Sequence, residues 1–324
     1  MVNLEQIRRP IEAELTEYQL RFRECMSSGD DFINNALLYI CSRQGKMMRP
    51  ILVLLMAKGL GKINENTLRS AVVLELLHTA SLIHDDVVDE SEERRGHRSV
   101  KAVYDNKTAV LLGDYMLSNT LHTAAMTGDV KIVDLVALLG KNLTEGEIAQ
   151  LHHTQEYHLS EDTYFHIIRH KTAALFAACG ELAAITCGAS EEVIKKAKIF
   201  GETVGICFQI RDDIFDYFDD AKIGKPRGND MREGKLTLPV IYSLLHTQNE
   251  EMTALAMRVK KQEATNEEIQ KLIDFTKENG GIEYADKKMK DIADKALGIL
   301  QYIENQEIKS ALQDYLTFVI QRSY

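Results

Sequence analysis

Two aspartate clusters are the residues whose types and spacing could do chemistry. The first is Asp85-Asp86-Val87-Val88-Asp89, and the second is Asp212-Asp213-Ile214-Phe215-Asp216, preceded by Gln209. On a helix, Asp85 and Asp89 lie one turn apart, with His78 further back on the same stripe. Residues 209, 212, 213 and 216 step at i, i+3, i+4 and i+7, which groups four polar side chains on one face. Stacked carboxylates repel by roughly 0.3 kcal/mol per exposed pair, and by more away from water, unless a cation lies between them. Oxygen-only donors at this spacing suit Mg²⁺, which keeps several waters and fills its shell with substrate phosphates. A solvated acidic helix face is the plain alternative for either cluster alone. Each cluster, however, abuts very apolar sequence (Leu76–Ile83 and Val204–Ile210), where such a face is out of place.

Four short segments carry the cations that would answer a phosphate. They are Gly45-Lys46-Met47-Met48-Arg49-Pro50, Arg94-Arg95-Gly96, His170-Lys171-Thr172 and Gly224-Lys225-Pro226-Arg227-Gly228-Asn229-Asp230, the last followed by Lys235. An arginine fork matches phosphate oxygens in pairs, whereas a lysine acts as a compact point charge. Surface pairing with Glu92 and Glu93 is the competing role for Arg94 and Arg95. Three Mg²⁺ would cancel six aspartates, and a bound diphosphate then needs several cations, for which Arg94, Lys171, Lys225 and Lys235 are the available set. The chemistry indicated is metal-assisted departure of a diphosphate.

The elements that must position these residues read as helices. The chain has 324 residues and four prolines, none between Pro50 and Pro226. So long a proline-free run favours uninterrupted helix. Apolar steps at Leu68, Val72, Leu76 and Leu77, and at Ile132, Leu135, Val136 and Leu139, agree. After Gly280-Gly281, residues Ile282, Ala285, Met289, Ala293, Ala296 and Leu300 mark a further amphipathic helix. Strand alternation is scarce and no Pro/Gly/Ser-rich linker appears, so the expectation is one all-α domain over residues 1–324. The Gly-Lys pairs at 45, 61, 140, 224 and 234 lack the Ser or Thr of a P-loop, and Asn64 spoils a dinucleotide fingerprint at Gly59.

With 45% apolar and 27% charged residues the chain can bury a large core. A net charge of −10 disfavours nucleic acid as a partner. The longest uncharged stretches are too short and polar to span a bilayer, and the N-terminus lacks a signal-peptide pattern. The five cysteines contain no C-x-x-C and read as reduced core residues of a cytoplasmic protein.

Taken in order along the chain, these segments resemble the head-to-tail (trans) polyprenyl diphosphate synthases. The family's first motif, DDxxD then RRG, matches Asp85, Asp86, Asp89, Arg94, Arg95 and Gly96, and its second matches Asp212, Asp213 and Asp216 after Gln209. Its GKxxRP reads as Lys46 and Arg49, its KT as Lys171-Thr172, and its GKxxGxD as Lys225 and Asp230. The resemblance implies a bundle of long antiparallel helices around a central cavity. It implies an allylic diphosphate held through Mg²⁺ (or Mn²⁺) by Asp85, Asp89 and Asp212 in the main, with Arg94, Lys171, Lys225 and Lys235 on its phosphates. Isopentenyl diphosphate would lie on Lys46, Arg49, His78 and Arg95. The oxygens of Thr172 and Gln209 would face the allylic cation, with Lys171 beside them. His84 fits a supporting histidine better than a base.

The resemblance also bears on product length. Short-chain members place aromatic residues at the fourth or fifth position before the first aspartate; here those positions are Ser81 and Ala80, both small. The expected product is therefore a medium- to long-chain all-trans polyprenyl diphosphate of the quinone side-chain type, stopped deeper by Leu77, Leu74 or the 115–126 segment. The competing product is farnesyl or geranylgeranyl diphosphate. A terpene cyclase is disfavoured, because Met231-Arg232-Glu233 after Asn229-Asp230 does not fit its second metal motif. An acidic helical metal-binding protein is disfavoured because Glu75-x-x-His78 has no second copy. An inactive partner subunit would usually lack the aspartates. Family members are commonly homodimers, for which Tyr115–Met126 is a contact candidate, with transient membrane contact at product release.

Overall fold

A computed structural model describes residues 3–43, 45–94, 96–153, 159–218 and 227–322. Most of these are helical, and the only strands among them are a two-residue hairpin, Glu93–Arg94 against His97–Arg98. The all-α expectation is borne out. No helix among the described residues is long and apolar enough to cross a membrane.

The chain forms two compact units. One gathers the sequence up to Lys141 with Leu175–Gly201 and Ile299–Phe318; the other gathers Asn142–Ala174, Glu202–Gly298 and the segment from Val319. In the first unit the central element is the helix Glu65–Val88, which packs along Asn106–Ala125 and Met48–Leu60. Its start is written locally: the Asn64 side chain accepts from Thr67 N–H at 3.0 Å, and the Thr67 hydroxyl accepts in return from Asn64 N–H. Buried residues fall all round it, including Val72, Val73, Leu74, Leu76 and Leu77, as a helix enclosed by others requires.

In the second unit the core is built where Leu238–Thr247 meets Asn266–Glu278 and Gly281–Leu297. Of the apolar stripe read after Gly280, Ala285, Met289, Ala293 and Ala296 are buried and Ile282 is half-buried, while Leu300 is buried in the first unit. Gly280 itself has φ 72° and starts the helix from the left-handed region.

Within the first unit, the residues 175–186 and 191–201 approach to backbone contact. A Cβ on Gly180 would lie 2.1 Å from Ala197 O, and one on Gly201 would lie 2.1 Å from Phe176 O. Both separations are far inside van der Waals contact, and carbonyls in helices cannot give way cheaply. We therefore expect Gly201→Ala to cost about 2 kcal/mol or more of stability, read as a lower urea midpoint at unchanged slope.

Candidate active site

The first aspartate cluster closes the helix Glu65–Val88. Asp89 N–H still bonds Asp85 O at 2.8 Å, then Glu90 turns left-handed at φ 51° and Ser91 N–H bonds Asp86 O at 2.9 Å. That wrap-around ending satisfies the last carbonyls and turns the chain back on itself. The hairpin that follows returns Arg94 to the helix end, where its Nε donates to Asp86 Oδ1 at 2.6 Å. The Asp86 side chain is 4% exposed, whereas Asp89 lies at the surface and Asp85 is half-buried. Burial raises the Asp86 carboxyl above its ordinary range, Arg94 pulls it back, and the neighbouring Asp89 charge raises it further. Arg94 thus pairs with Asp86 and not with its sequence neighbours Glu92 and Glu93.

Immediately before the cluster, His84 bridges to the helix Asn106–Ala125, with Nε2 3.1 Å from Val110 O and 3.4 Å from Asp114 Oδ1. His78 is buried. Ala80 and Leu74 are fully enclosed, Leu77 nearly so, and the Ser81 hydroxyl donates back to His78 O at 2.9 Å. Lys46 is exposed with its ammonium 5.8 Å from the Phe318 ring, and the Arg49 guanidinium lies 4.9 Å from the Phe176 ring.

The second cluster ends the helix Glu191–Phe215, and here the grouping of Gln209, Asp212, Asp213 and Asp216 on one face is too coarse. Adjacent aspartates on a helix are rotated by about 100°, and the structure sends them to different partners. Asp212 is half-buried and receives Arg322 Nη2 at 2.5 Å, while Arg322 also donates to Phe208 O at 3.0 Å. Asp213 is 2% exposed and accepts from Tyr164 Oη at 2.6 Å and from Gln209 Nε2 at 2.8 Å. Asp216 accepts the backbone N–H of Asn229 at 2.9 Å and of Asp230 at 3.1 Å, which caps the short helix Asn229–Arg232. Burial raises Asp213, Asp216 and Asp230; hydrogen bonds pull Asp213 and Asp216 back, while the charges of Asp212 and Asp216 add to the rise at Asp213 and those of Asp213 and Asp216 to the rise at Asp230. Tyr164 is pushed up likewise, first by burial and then by the Asp213 charge.

Lys171 and Thr172 sit inside a π-helical turn, Arg169–Ala173, in which Ala174 N–H bonds Arg169 O. Such wide turns concentrate at functional positions. Lys171 Nζ pairs with Glu147 at 2.8 Å, and Thr172 Oγ1 donates to Gln209 Oε1 at 2.7 Å. Lys235 Nζ donates to Glu233 at 2.5 Å. Arg95 and Lys225 lie outside the described residues.

Sequence reading missed Tyr164, Glu147 and Arg322, because each meets its partner across tens of residues with no spacing to mark it. Among the described residues no three His, Cys, Asp or Glu side chains converge as a ready metal cage. Mg²⁺ seldom uses an all-protein cage: a few carboxylates and substrate oxygens suffice. Each unit keeps carboxylate oxygens short of full burial, at Asp85 and Asp89 in the first and at Asp212 and Asp216 in the second, and oxygen donors of this kind fit such an ion.

The Polyprenyl synthetase family model matches residues 30–276. The chain belongs to that family. It is a prenyltransferase of the isoprenoid synthase fold. Over its whole length it is 31% identical to the octaprenyl diphosphate synthase of Haemophilus influenzae, covering 98% of that protein. Among solved structures, a geranylgeranyl pyrophosphate synthase from Bacteroides thetaiotaomicron is 46% identical, with a TM-score of 0.87 over 98% of this chain and 99% of that one. A polyprenyl synthase from Caulobacter crescentus, complexed with calcium and isoprenyl diphosphate, is 27% identical with a TM-score of 0.92, over 100% of this chain and 99% of that one. The resemblance read from the aspartate motifs is thereby borne out.

The pairing in the prenyltransferase's first cluster has a measurable consequence. Arg94→Met should leave Asp86 buried without its donor and cost about 2 kcal/mol. Combining it with Asp86→Asn should recover most of that loss, a non-additivity read from urea unfolding of the four proteins in the cycle.

Proposed function

We propose that this prenyltransferase condenses isopentenyl diphosphate repeatedly onto an allylic diphosphate and releases an all-trans medium- to long-chain polyprenyl diphosphate. The observation that carries the reading is the division of labour among six aspartates. Asp86 and Asp213 are buried on donors of the chain and Asp216 binds two backbone N–H groups, while Asp89 is exposed, Asp85 is half-buried, and Asp212 is half-buried with Arg322 as its counter-charge. Those three would hold Mg²⁺, and three ions match the six carboxylates in charge; Mn²⁺ would substitute. When bound, the ions supply Lewis-acid help to the departing diphosphate.

The chain's own residues do the rest. Arg94, Lys171 and Lys235 receive the allylic diphosphate, and Lys46, Arg49 and His78 receive isopentenyl diphosphate. The oxygens of Thr172 and Gln209 face the cation left when the allylic C–O bond breaks, stabilising it in a site that excludes water. The alkene then attacks, and the released diphosphate takes the proton. The 324 residues act as one catalytic domain in the cytoplasm, and an apolar product leaves by way of a membrane surface.

Support for the long product comes from the octaprenyl synthase relative and from Ala80 and Ser81, which put no large side chain at the usual short-chain floor. The 46% identical geranylgeranyl synthase favours the shorter alternative. Incubation with farnesyl and isopentenyl diphosphates in Mg²⁺, followed by chromatography, decides between them. Products longer than geranylgeranyl diphosphate are expected, and Ala80→Phe should shorten them to farnesyl or geranylgeranyl length. An unmodified enzyme that stops at either of those lengths refutes the long-chain reading.

A homodimer is the second part of the proposal. In the Tyr115–Met126 run, Tyr115 and Asn119 are used within the chain, bonding Ser27 O and Cys25 O. Leu121 nevertheless stays 56% exposed, alongside exposed Leu111 and Val110 on the same helix and Leu138 on the next. An apolar surface of this kind suits a second copy. Light scattering at micromolar concentration should give twice the mass of the 36.7 kDa chain.

A further inference from the structure

Four side chains of the second unit form one continuous hydrogen-bond chain. Tyr164 Oη donates to Asp213 Oδ2 at 2.6 Å, Gln209 Nε2 donates to Asp213 Oδ1 at 2.8 Å, and Thr172 Oγ1 donates to Gln209 Oε1 at 2.7 Å. We propose that Tyr164 and Asp213 are positioning residues that set the polarity of this chain, so that Thr172 presents lone pairs and never its proton to the reacting carbon. This rests on the reading above that Thr172 and Gln209 face an allylic cation, and it takes Asp213 out of the metal-ligand set.

The polarity follows from what each group can do. Asp213 accepts at both oxygens, from Tyr164 at Oδ2 and from Gln209 at Oδ1, so both of its neighbours donate to it. Gln209 therefore turns its amide nitrogen to Asp213 and is left with its oxygen toward Thr172. Thr172 has one hydroxyl proton, and it spends that proton on Gln209 Oε1. Only lone pairs remain on the threonine oxygen. Beside a developing carbocation those lone pairs stabilise, whereas an O–H pointing hydrogen-first would repel. Tyr164 has one hydroxyl proton to give and is 6% exposed; Asp213 is 2% exposed, so water cannot substitute for either member. The π-helical turn Arg169–Ala173 carries Thr172 at the end of the chain. Nothing in the aspartate spacing distinguishes Asp213 from Asp212, yet the tyrosine and the glutamine bind both of its oxygens while Asp212 meets Arg322.

The test is steady-state kinetics with farnesyl and isopentenyl diphosphates, together with a Mg²⁺ titration. In Asp213→Asn, the new amide oxygen keeps Tyr164 and the new amide nitrogen must face Gln209. Gln209 then reverses, Thr172 becomes an acceptor, and its proton turns into the site. The expected result is a kcat lower by on the order of a hundredfold, with both KM values and the half-saturating Mg²⁺ held within about threefold. Asp212→Asn should instead raise the Mg²⁺ requirement. The double variant Asp213→Asn/Gln209→Glu restores an acceptor at 209 for both Thr172 and the asparagine, and should regain at least about tenfold of the lost kcat. Tyr164→Phe, which keeps the packing, should lower kcat by about fivefold at unchanged KM. The inference is overturned if Asp213→Asn raises the Mg²⁺ requirement as Asp212→Asn does, if the double variant is no better than the single, or if Tyr164→Phe keeps full kcat. An unmodified chain that condenses nothing overturns both this inference and the proposed function; an active one with insensitive variants overturns this inference alone.

Discussion

Both aspartate clusters place negative charge at the carboxyl end of a long helix, where the helix's own carbonyls already make the potential negative. The turns leading into each cluster are largely buried, so the repulsion is poorly dispersed into water. A carboxylate in that position persists only if it is paired or fully hydrogen-bonded. The chain meets this constraint for the deeper carboxylates: Arg94 answers Asp86, Tyr164 and Gln209 answer Asp213, and two backbone N–H groups answer Asp216. Asp85 and Asp89 stay one turn apart at the adverse end of their helix, and Asp212 at the end of its own is answered by Arg322. Under the proposed function a divalent cation would relieve the repulsion and the helix-end potential together, turning that strain into affinity for the ion. A site of this kind holds its stability below what the same helices could reach with neutral residues, the usual exchange of stability for function.

The donors that satisfy the inner carboxylates come from far along the chain. Arg94 returns through a hairpin whose turn holds Gly96 at φ 74°, Tyr164 belongs to a different helix from Asp213, and Arg322 follows the last helix. Arg322 is held twice over, by Phe208 O and by stacking 3.7 Å from the Phe208 ring, so its charge is aimed and not merely nearby. Correct placement of each cluster thus depends on segments that meet only when their unit is fully folded. Helix propensity alone would form the aspartate stripes without forming the site.

That dependence explains what could be read in advance. The helices, the aspartate stripe from Asp85 to Asp89 and the helix start at Gly280 are local features, written in spacing and in residue type. The pairing of Arg94 with Asp86 is not local in the same sense: sequence offers Glu92 and Glu93, but the left-handed turn at Glu90 directs the arginine back to the helix end. Tyr164, Glu147 and Arg322 leave no periodic signal because their partners lie on other elements. The π-helical turn at Lys171 is likewise invisible, since a widening by one residue alters no apolar step. The motif makes Asp212 and Asp213 look equivalent, and the rotation between neighbouring helical residues is what separates them.

Product length is governed by a different kind of constraint, which the aspartate motifs do not encode. Octaprenyl and geranylgeranyl synthases both resemble this chain over nearly its whole length, so overall likeness does not separate the two product classes. Each added isoprene unit gains roughly 0.8 kcal/mol for every CH₂ group it buries, so elongation is favourable until a side chain obstructs it. On the helix below Asp85 the residues at the first turn are Ala80 and Ser81, and Ser81 turns its hydroxyl into the helix to bond His78 O. Back-bonding of this kind hides the polar atom, so serine there behaves as a small, nearly apolar surface. An aromatic ring at either position would have to be compressed by the growing tail, and overpacking of that order costs about 1–3 kcal/mol. That is comparable with what the next unit gains, so under the proposed function one side chain one turn before Asp85 is enough to decide where synthesis stops.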